Sequence, residues 1–247
     1  MLSEGKKLIE KKQLQGLPLL EPPITVRLKF QKIGALQYIS HLDLQRTFNR
    51  VLTRACIPVW YTKGFNPHAK LVFSTPLSVG AQSVSEFLDI RIDRAMECQE
   101  IMARLNRELT DELCILDAYI PKEDFSEIGW ASYEIEICCD DLSGALCDEM
   151  YRALTTSPLL LTKRTKAGEK EIDIVPMIGS LQVSYDTVAN TVKLSAVLRA
   201  TASEFLNPEM LITALKQKVG ILGGDLSREW YTIMRTSLLK EDGTLFS

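Results

Sequence analysis

The sequence lacks most of the residues and motifs by which enzymes are recognised. It has only two histidines in 247 residues. It contains no phosphate-binding P-loop, dinucleotide-binding glycine fingerprint, GxSxG elbow or HExxH helix. Its six cysteines show no CxxC spacing, which argues against a zinc site and an iron–sulfur cluster. We therefore expect no metal and no cofactor, and self-contained enzymes of these classes are disfavoured.

The sequence also has no recognisable targeting or membrane-spanning segment. No apolar run approaches the roughly 18 residues that a spanning helix needs. The N-terminus is rich in lysine and glutamate and has no apolar centre. Hydrophobic residues make up 46% and charged residues 25% of the chain, as in ordinary globular proteins. The sequence therefore predicts a cytoplasmic protein with reduced cysteines.

The charges are unevenly distributed along the chain. Residues 24–73 contain eight basic residues and one acidic residue, a net charge of +7, whereas the remainder carries −10. A basic region in an acidic chain predicts an anionic partner at that end of the molecule. The alternative is a solvated helix face that has no partner.

Hydrophobic patterning in the first half predicts a ferredoxin-like unit. Residues 25–31 alternate as a half-buried strand, and Ser40 with Asp43 forms a capping box for a helix that runs to about Cys56. The remaining predicted elements are strands over 71–73, 85–92 and 113–120 and a helix over 96–109. Together they give the order βαββαβ.

The second half repeats this order with additional extended segments. The predicted fold is therefore α+β, with two tandem ferredoxin-like (βαββαβ) domains. The predicted boundaries are a flexible leader over 1–23, domains over 24–121 and 133–240, a linker over 122–132 and a tail over 241–247.

Two neighbouring segments hold the candidate binding residues. Arg46, Arg50 and Arg54 follow an i, i+4, i+8 spacing on the first helix, which gives a basic ridge suited to phosphate groups. A turn-forming stretch from Tyr61 to Gly80 follows, and it begins with a dense polar set: Lys63, Asn66, His68 and Lys70. Phe65 in this turn either stacks on a base or fills the core.

Several motifs resemble the radical SAM-linked proteins, a bacterial domain family without an established function. The resemblance covers about residues 24–240. Its clearest segments lie in the first half, and weaker echoes follow at Lys170–Asp173 and Arg235; the clear segments are Val26–Gly34, Tyr38–Leu44, Lys63–His68, Phe73–Gly80 and Glu86–Asp89. This chain departs from the pattern at Ala69, where a second proline is common. The resemblance implies a radical SAM protein as partner, because the family's domain stands beside such proteins or is fused to their C-terminal end.

These observations support three hypotheses. In the first, the chain is an accessory module without intrinsic catalytic activity that presents tRNA or rRNA to a radical SAM enzyme; Ser40, Asp43, Glu86 and Asp89 support the binding surface. In the second, His41 and His68 are a general acid–base pair of an RNA-processing or RNA-modifying enzyme. In the third, the chain is a protein–protein adaptor whose arginine ridge docks an acidic partner.

Overall fold

The computed structural model describes residues 16–140, 142–165, 168–224 and 228–247, with the backbone alone at 163–165. The chain divides after Asp124 into two compact units. Elements are numbered in chain order, β1 to β10 for the strands and α1 to α4 for the helices. The α+β class is confirmed.

The N-terminal unit is an antiparallel sheet with two helices. Its strands lie in the order β4-β1-β3-β2, and each neighbouring pair is antiparallel. The elements are β1 Leu19–Lys32, α1 His41–Arg54, β2 Val72–Phe73, β3 Ala81–Arg94, α2 Cys98–Asn106 and β4 Ile115–Tyr119.

One apolar cluster joins the sheet to both helices. Val26, Leu28 and Phe30 on one face of β1 are fully buried, as the alternation predicted. The rings of Phe30 and Phe48 of α1 meet edge to face, with 5.0 Å between their centroids. Leu105 of α2 belongs to the same cluster. The core therefore fixes where α1 lies on the sheet, and with it the position of every side chain that α1 carries.

The first strand begins earlier than predicted. It starts at Leu19, which lies opposite Arg94, within the segment predicted to be a flexible leader. The pairing is irregular between Leu19 and Ile24, and this irregularity accommodates the prolines at 22 and 23, which cannot donate to a ladder. Residues 1–15 of the predicted leader lie outside the described part of the chain.

The C-terminal unit has an antiparallel sheet of four strands in the order β10-β5-β9-β8. A separate hairpin is formed by β6 and β7. The elements are β5 Ile128–Cys138, α3 Gly144–Thr155, β6 Leu160–Thr165, β7 Gly168–Asp173, β8 Ile178–Asp186, β9 Thr191–Arg199, α4 Glu209–Lys218 and β10 Trp230–Lys240.

The predicted linker over 122–132 is wrong in its second part. Phe125–Glu127 is a 3-10 turn, and β5 begins at Ile128. Ala131 is fully buried and lies opposite Leu238 of β10. Because that partner is more than a hundred residues away, local pattern did not reveal the strand's start. The predicted tail is also ordered, since Phe246 is buried and its N–H donates to the Leu238 carbonyl at 3.0 Å.

None of the helices that the structure describes has the length and apolar character needed to cross a bilayer. All six cysteines are free thiols. Among the described residues, no three histidine, cysteine, aspartate or glutamate side chains cluster closely enough to hold a metal ion.

Candidate functional site

The segment from Tyr61 to Lys70, here called the 61–70 loop, is an excursion from the edge of the N-terminal sheet. Before the loop, the N–H of Trp60 donates to the Arg91 carbonyl of β3 at 2.8 Å. After it, β2 pairs with the same strand, with Val72 opposite Asp89. Both ends of the loop are therefore held by β3, and its tip stands away from the sheet.

His68 holds the loop closed. Its backbone N–H donates to the Thr62 hydroxyl at 3.2 Å, and the Thr62 N–H donates to the His68 carbonyl at 3.0 Å. Its ring Nδ1 lies 3.0 Å from the Asn66 carbonyl oxygen. The Thr62 hydroxyl oxygen lies 3.2 Å from the same nitrogen, and the tautomer with the proton on Nδ1 donates to the Asn66 carbonyl. In this loop His68 acts as a brace.

The braced loop displays cations and an aromatic ring. Phe65 is fully exposed, so it does not fill the core. Lys63, Asn66 and Lys70 are exposed beside it. Within the described residues, neither lysine has an ion-pair or hydrogen-bond partner, and no acidic residue occurs between Tyr61 and Phe73. An exposed ring with an exposed lysine before and after it in the sequence is a suitable surface for a nucleic acid strand, which offers phosphates and stacking bases.

The arginine ridge of α1 is only partly available. Arg54 donates to the Glu108 carboxylate at 2.6 Å and to the Glu108 carbonyl at 3.1 Å. Arg46 pairs with Asp43 at 3.1 Å on the helix surface. Arg50 is exposed and has no partner among the described residues. Of the three predicted phosphate contacts, Arg50 is the one whose charge is not already offset.

Ser40 and Asp43 form the predicted helix cap. The Asp43 N–H donates to the Ser40 hydroxyl oxygen at 3.2 Å, and the hydroxyl donates to the Asp43 carboxylate at 2.7 Å. Hydrogen bonds from Ser40 and Arg46 lower the pKa of Asp43. Both residues orient the start of α1 and so support the site through the position of His41.

Asp89 and Glu86 have structural positions on β3. Asp89 accepts two hydrogen bonds from the buried Arg27, at 2.7 and 2.9 Å. Arg27 was predicted on the solvent face of β1, and this prediction is wrong, because the second face of the strand is also covered. Removing one partner of a buried pair costs about 3–5 kcal/mol, so this bridge belongs to the fold. Glu86 is buried opposite Phe30 of β1.

The buried basic residues change the meaning of the +7 segment. Arg27 and Lys32 are 1% and 2% exposed, and the Lys32 ammonium donates to the Gln37 carbonyl at 3.2 Å. Arg46 and Arg54 are paired with acids. The exposed cations of this region that lack a partner among the described residues are therefore Arg50, Lys63 and Lys70.

His41 lies at a different place, in the wall of a cleft. It is the first residue of α1, and its ring meets Phe73 edge to face at 4.9 Å. The cleft has a volume of ≈ 520 Å³ and is lined by His41, Gln45 and the segment Leu71–Leu77. No hydrogen bond joins His41 to His68 among the described residues, and the lining of this cleft includes His41 but not His68.

Two residues of the cleft are absent from the predicted binding set. Gln45 is half-buried on α1, and Ser74 fitted either a polar floor under the loop or an ordinary strand position. The Ser74 hydroxyl oxygen is buried and has no hydrogen-bond partner in the described structure. An unsatisfied buried hydroxyl costs about 1–3 kcal/mol. Only the position of Ser74 within the Phe73–Gly80 motif pointed to it.

Three comparisons relate the chain to known proteins. Residues 25–208 match the model of a family described as uncharacterized proteins conserved in bacteria, DUF2344, and the chain belongs to this family. A search of curated protein sequences gave no match.

Solved structures give distant likenesses. One is a crystal structure of a protein provisionally assigned as a glycine cleavage system transcriptional repressor, with 9% identity and a TM-score of 0.22 over 86% of this chain and 98% of that one. Another is a variant of DypB from Rhodococcus jostii RHA1 in complex with heme, with 11% identity and a TM-score of 0.19 over 86% and 92%. At these TM-scores neither likeness bears on fold or function.

Proposed function

We propose that this member of the bacterial DUF2344 family binds single-stranded segments of RNA through its 61–70 loop. We further propose that it serves as an accessory module of a radical SAM enzyme, to which it presents a tRNA or rRNA. The RNA part is supported by the surface of the loop, and the enzyme partner is supported by the motif resemblance to radical SAM-linked proteins.

The observation that carries the proposal is the exposed ring of Phe65 between Lys63 and Lys70. The exposed phenylalanine at the loop tip offers both faces of an aromatic ring, close in sequence to exposed lysines. Stacking on a base removes the ring from water, and the ammonium groups meet the phosphates on either side. The brace around His68 holds the loop in shape before RNA arrives, which lowers the entropic cost of binding.

The strand orders support a finer description of the fold. Within each unit the first strand lies between the fourth and third strands of that unit's main sheet, and a helix precedes the second and fourth strands. We infer two ferredoxin-like units, the second with the β6–β7 hairpin inserted. RNA nucleases of the RAMP type also use paired ferredoxin-like domains, and this fold-level analogy agrees with an RNA ligand without specifying one.

Catalysis by His41 and His68 receives less support. A general acid and a general base must both reach the reacting group. His41 lines the cleft, whereas His68 is engaged with Thr62 and Asn66 in the loop. The chain is therefore better described as a binding module.

The test is the salt dependence of RNA binding. We expect the affinity for a fluorescently labelled single-stranded RNA to fall as salt rises, because phosphate contacts release counterions. The double variant Lys63→Gln/Lys70→Gln should reduce the slope of log K against log salt by about 1.4, because each of the two lost phosphate contacts contributes about 0.7. Lys170→Gln/Lys218→Gln in the C-terminal unit removes the same charge from exposed sites and should leave the slope unchanged. Equal slopes for both double variants would refute the proposed loop contacts.

The enzyme partner is tested by purification of the tagged chain from native cells, with both protein and RNA identified. We expect to recover a radical SAM protein and a defined RNA. The variant Lys63→Gln/Lys70→Gln should recover less RNA than the wild type and still recover the radical SAM protein. Recovery of the enzyme without RNA, and its loss after charge reversal at Arg46, Arg50 and Arg54, would favour the adaptor hypothesis instead.

A further inference from the structure

We infer that the cleft beside α1 receives a nucleobase from the RNA strand that the 61–70 loop binds; this inference rests on the proposed function. The two features are continuous along the chain. Lys70, the last residue of the loop, is followed directly by Leu71, the first residue of the segment that forms one wall of the cleft.

The lining of the cleft is neutral and has apolar walls. Its nine lining residues include no lysine, arginine, aspartate or glutamate. Leu71, Phe73 and Leu77 contribute apolar surface, and the cleft volume of ≈ 520 Å³ lies within the range of ordinary ligand sites. A phosphate has no counter-charge here, whereas the loop outside holds unpaired lysines. Charge is therefore separated as a nucleotide requires, with cations for the backbone and a neutral cavity for the base.

The polar groups of the cleft suit the edge of a base. His41, Gln45 and Ser74 offer an imidazole, an amide and a hydroxyl, all of which donate or accept hydrogen bonds. The Ser74 hydroxyl oxygen is buried and lacks a partner, and the Gln45 side chain has none among the described residues. A base that is unstacked from its strand is recognised by hydrogen bonds to its edge and by packing against its faces. The Ser74 hydroxyl, which water does not reach in this conformation, becomes a partner for such a base when its side chain rotates toward the cleft.

The chain contains its own reporters for this site. Its two histidines are His41, in the wall of the cleft, and His68, in the loop. Imidazole signals in NMR spectra of the full chain are assigned by His41→Gln and His68→Gln. We expect free nucleosides (adenosine, cytidine, guanosine and uridine, titrated separately) to shift the His41 signal and leave the His68 signal in place. A single-stranded RNA should shift both.

Base preference provides the second measurement. Affinities for oligo-A, oligo-C and oligo-U are compared for the wild-type chain, Ser74→Ala and Gln45→Leu. Loss of one hydrogen bond to the preferred base should reduce the preference among the three RNAs by about fivefold and leave the salt slope unchanged. Ser74→Ala removes a hydroxyl that has no hydrogen-bond partner among the described residues, so we expect this variant to remain folded.

The outcomes separate this inference from the proposed function. If RNA binds and the lysine variants weaken it, but nucleosides never shift His41 and neither cleft variant alters base preference, the cleft site is wrong and the RNA surface stands. If RNA does not bind, the proposed function fails, and the nucleoside titration still shows whether the cleft beside His41 binds a base. Equal shifts of both histidine signals by nucleosides would also overturn the assignment.

Discussion

Two surface turns of the molecule each expose an apolar side chain, but they treat their charges differently. The turn at 186–190 of the C-terminal unit exposes Val188 to 96%, and the 61–70 loop exposes Phe65 completely. In the first, the Asp186 carboxylate accepts from the N–H groups of Val188 and Ala189, both at 3.0 Å, and from the Lys193 ammonium at 2.8 Å. That turn satisfies its own polar groups.

The 61–70 loop satisfies its backbone but not its cations. Thr62 and His68 close the loop, while Lys63 and Lys70 pair with no acid in the part of the chain that the structure describes. This difference in how the two turns treat their charges is one reason why we propose an external partner for the 61–70 loop. The turn at 186–190 satisfies its own groups, and its residues provide the comparison in three of the four tests below.

The largest expected effect is on RNA affinity, and it comes from removing the exposed side chain of Phe65. Phe65→Ala should lower the affinity for single-stranded RNA by about 1–3 kcal/mol, because stacking on one base is lost. Val188→Ala removes an equally exposed apolar group and should leave RNA affinity unchanged. Titrations by fluorescence anisotropy measure both. If the two variants bind RNA as the wild type does, Phe65 is not a stacking residue.

The next effect concerns the contacts of His68 with Thr62 and Asn66, which hold the 61–70 loop closed. His68→Ala removes the ring contact to Asn66 and should lower RNA affinity by about 0.5–1.5 kcal/mol, the contribution of one hydrogen bond, because the loop loses its preformed shape. His68→Asn restores a side-chain donor and should recover part of the loss. A catalytic His68 would instead leave binding intact and abolish an RNA-linked activity, which single-turnover assays detect.

A smaller effect concerns stability, and it separates Lys63 of the loop from Lys193 of β9, which pairs with Asp186 of the other turn. Lys193→Gln breaks the bond to Asp186 and should lower the thermal unfolding midpoint of the chain. Lys63→Gln breaks no internal bond and should leave the free energy of unfolding within about 0.5 kcal/mol of the wild type. Thermal unfolding followed by circular dichroism compares them. A Lys63 variant as destabilised as the Lys193 variant would show that the loop lysine has a structural partner.

The smallest effect depends on pH. Backbone hydrogen bonds from Ala189 and Val188 and the contact with Lys193 lower the pKa of Asp186 to about 2. A lowered folded-state pKa gives stabilisation that is complete above the ordinary value of 3.8 and is lost as pH falls toward 2. Amide exchange at Val188 and Ala189 should therefore accelerate across this window, and Asp186→Asn should remove the dependence. The 61–70 loop has no carboxylate and should show no such transition there.

Local elements were predictable where a residue's role depends on its neighbours in sequence. The Ser40 cap, the apolar stripe of α1 with Leu44, Phe48 and Val51, and the buried face of β1 follow from capping chemistry and periodicity. The starts of β1 and β5 did not follow, because each depends on a partner strand distant in sequence.

The candidate site was predictable in composition and only partly in arrangement. Lys63, Phe65 and His68 were singled out because turn residues concentrate there, but the alternation of β1 could not reveal that Arg27 is buried. Alternation shows which residues share a face, and not whether that face is covered. The pairing of Arg54 with Glu108 joins residues 54 apart and has no local signal.

The sequence by itself determined the α+β class, the helix caps, the uneven charge and the presence of a polar turn before β2. These properties depend on residues within a few positions of one another. Only the tertiary structure decided that Phe65 faces solvent, that His41 and His68 serve different places, and that Ser74 is left unpaired in a cleft. Each of these depends on packing between segments that meet only when the chain has folded.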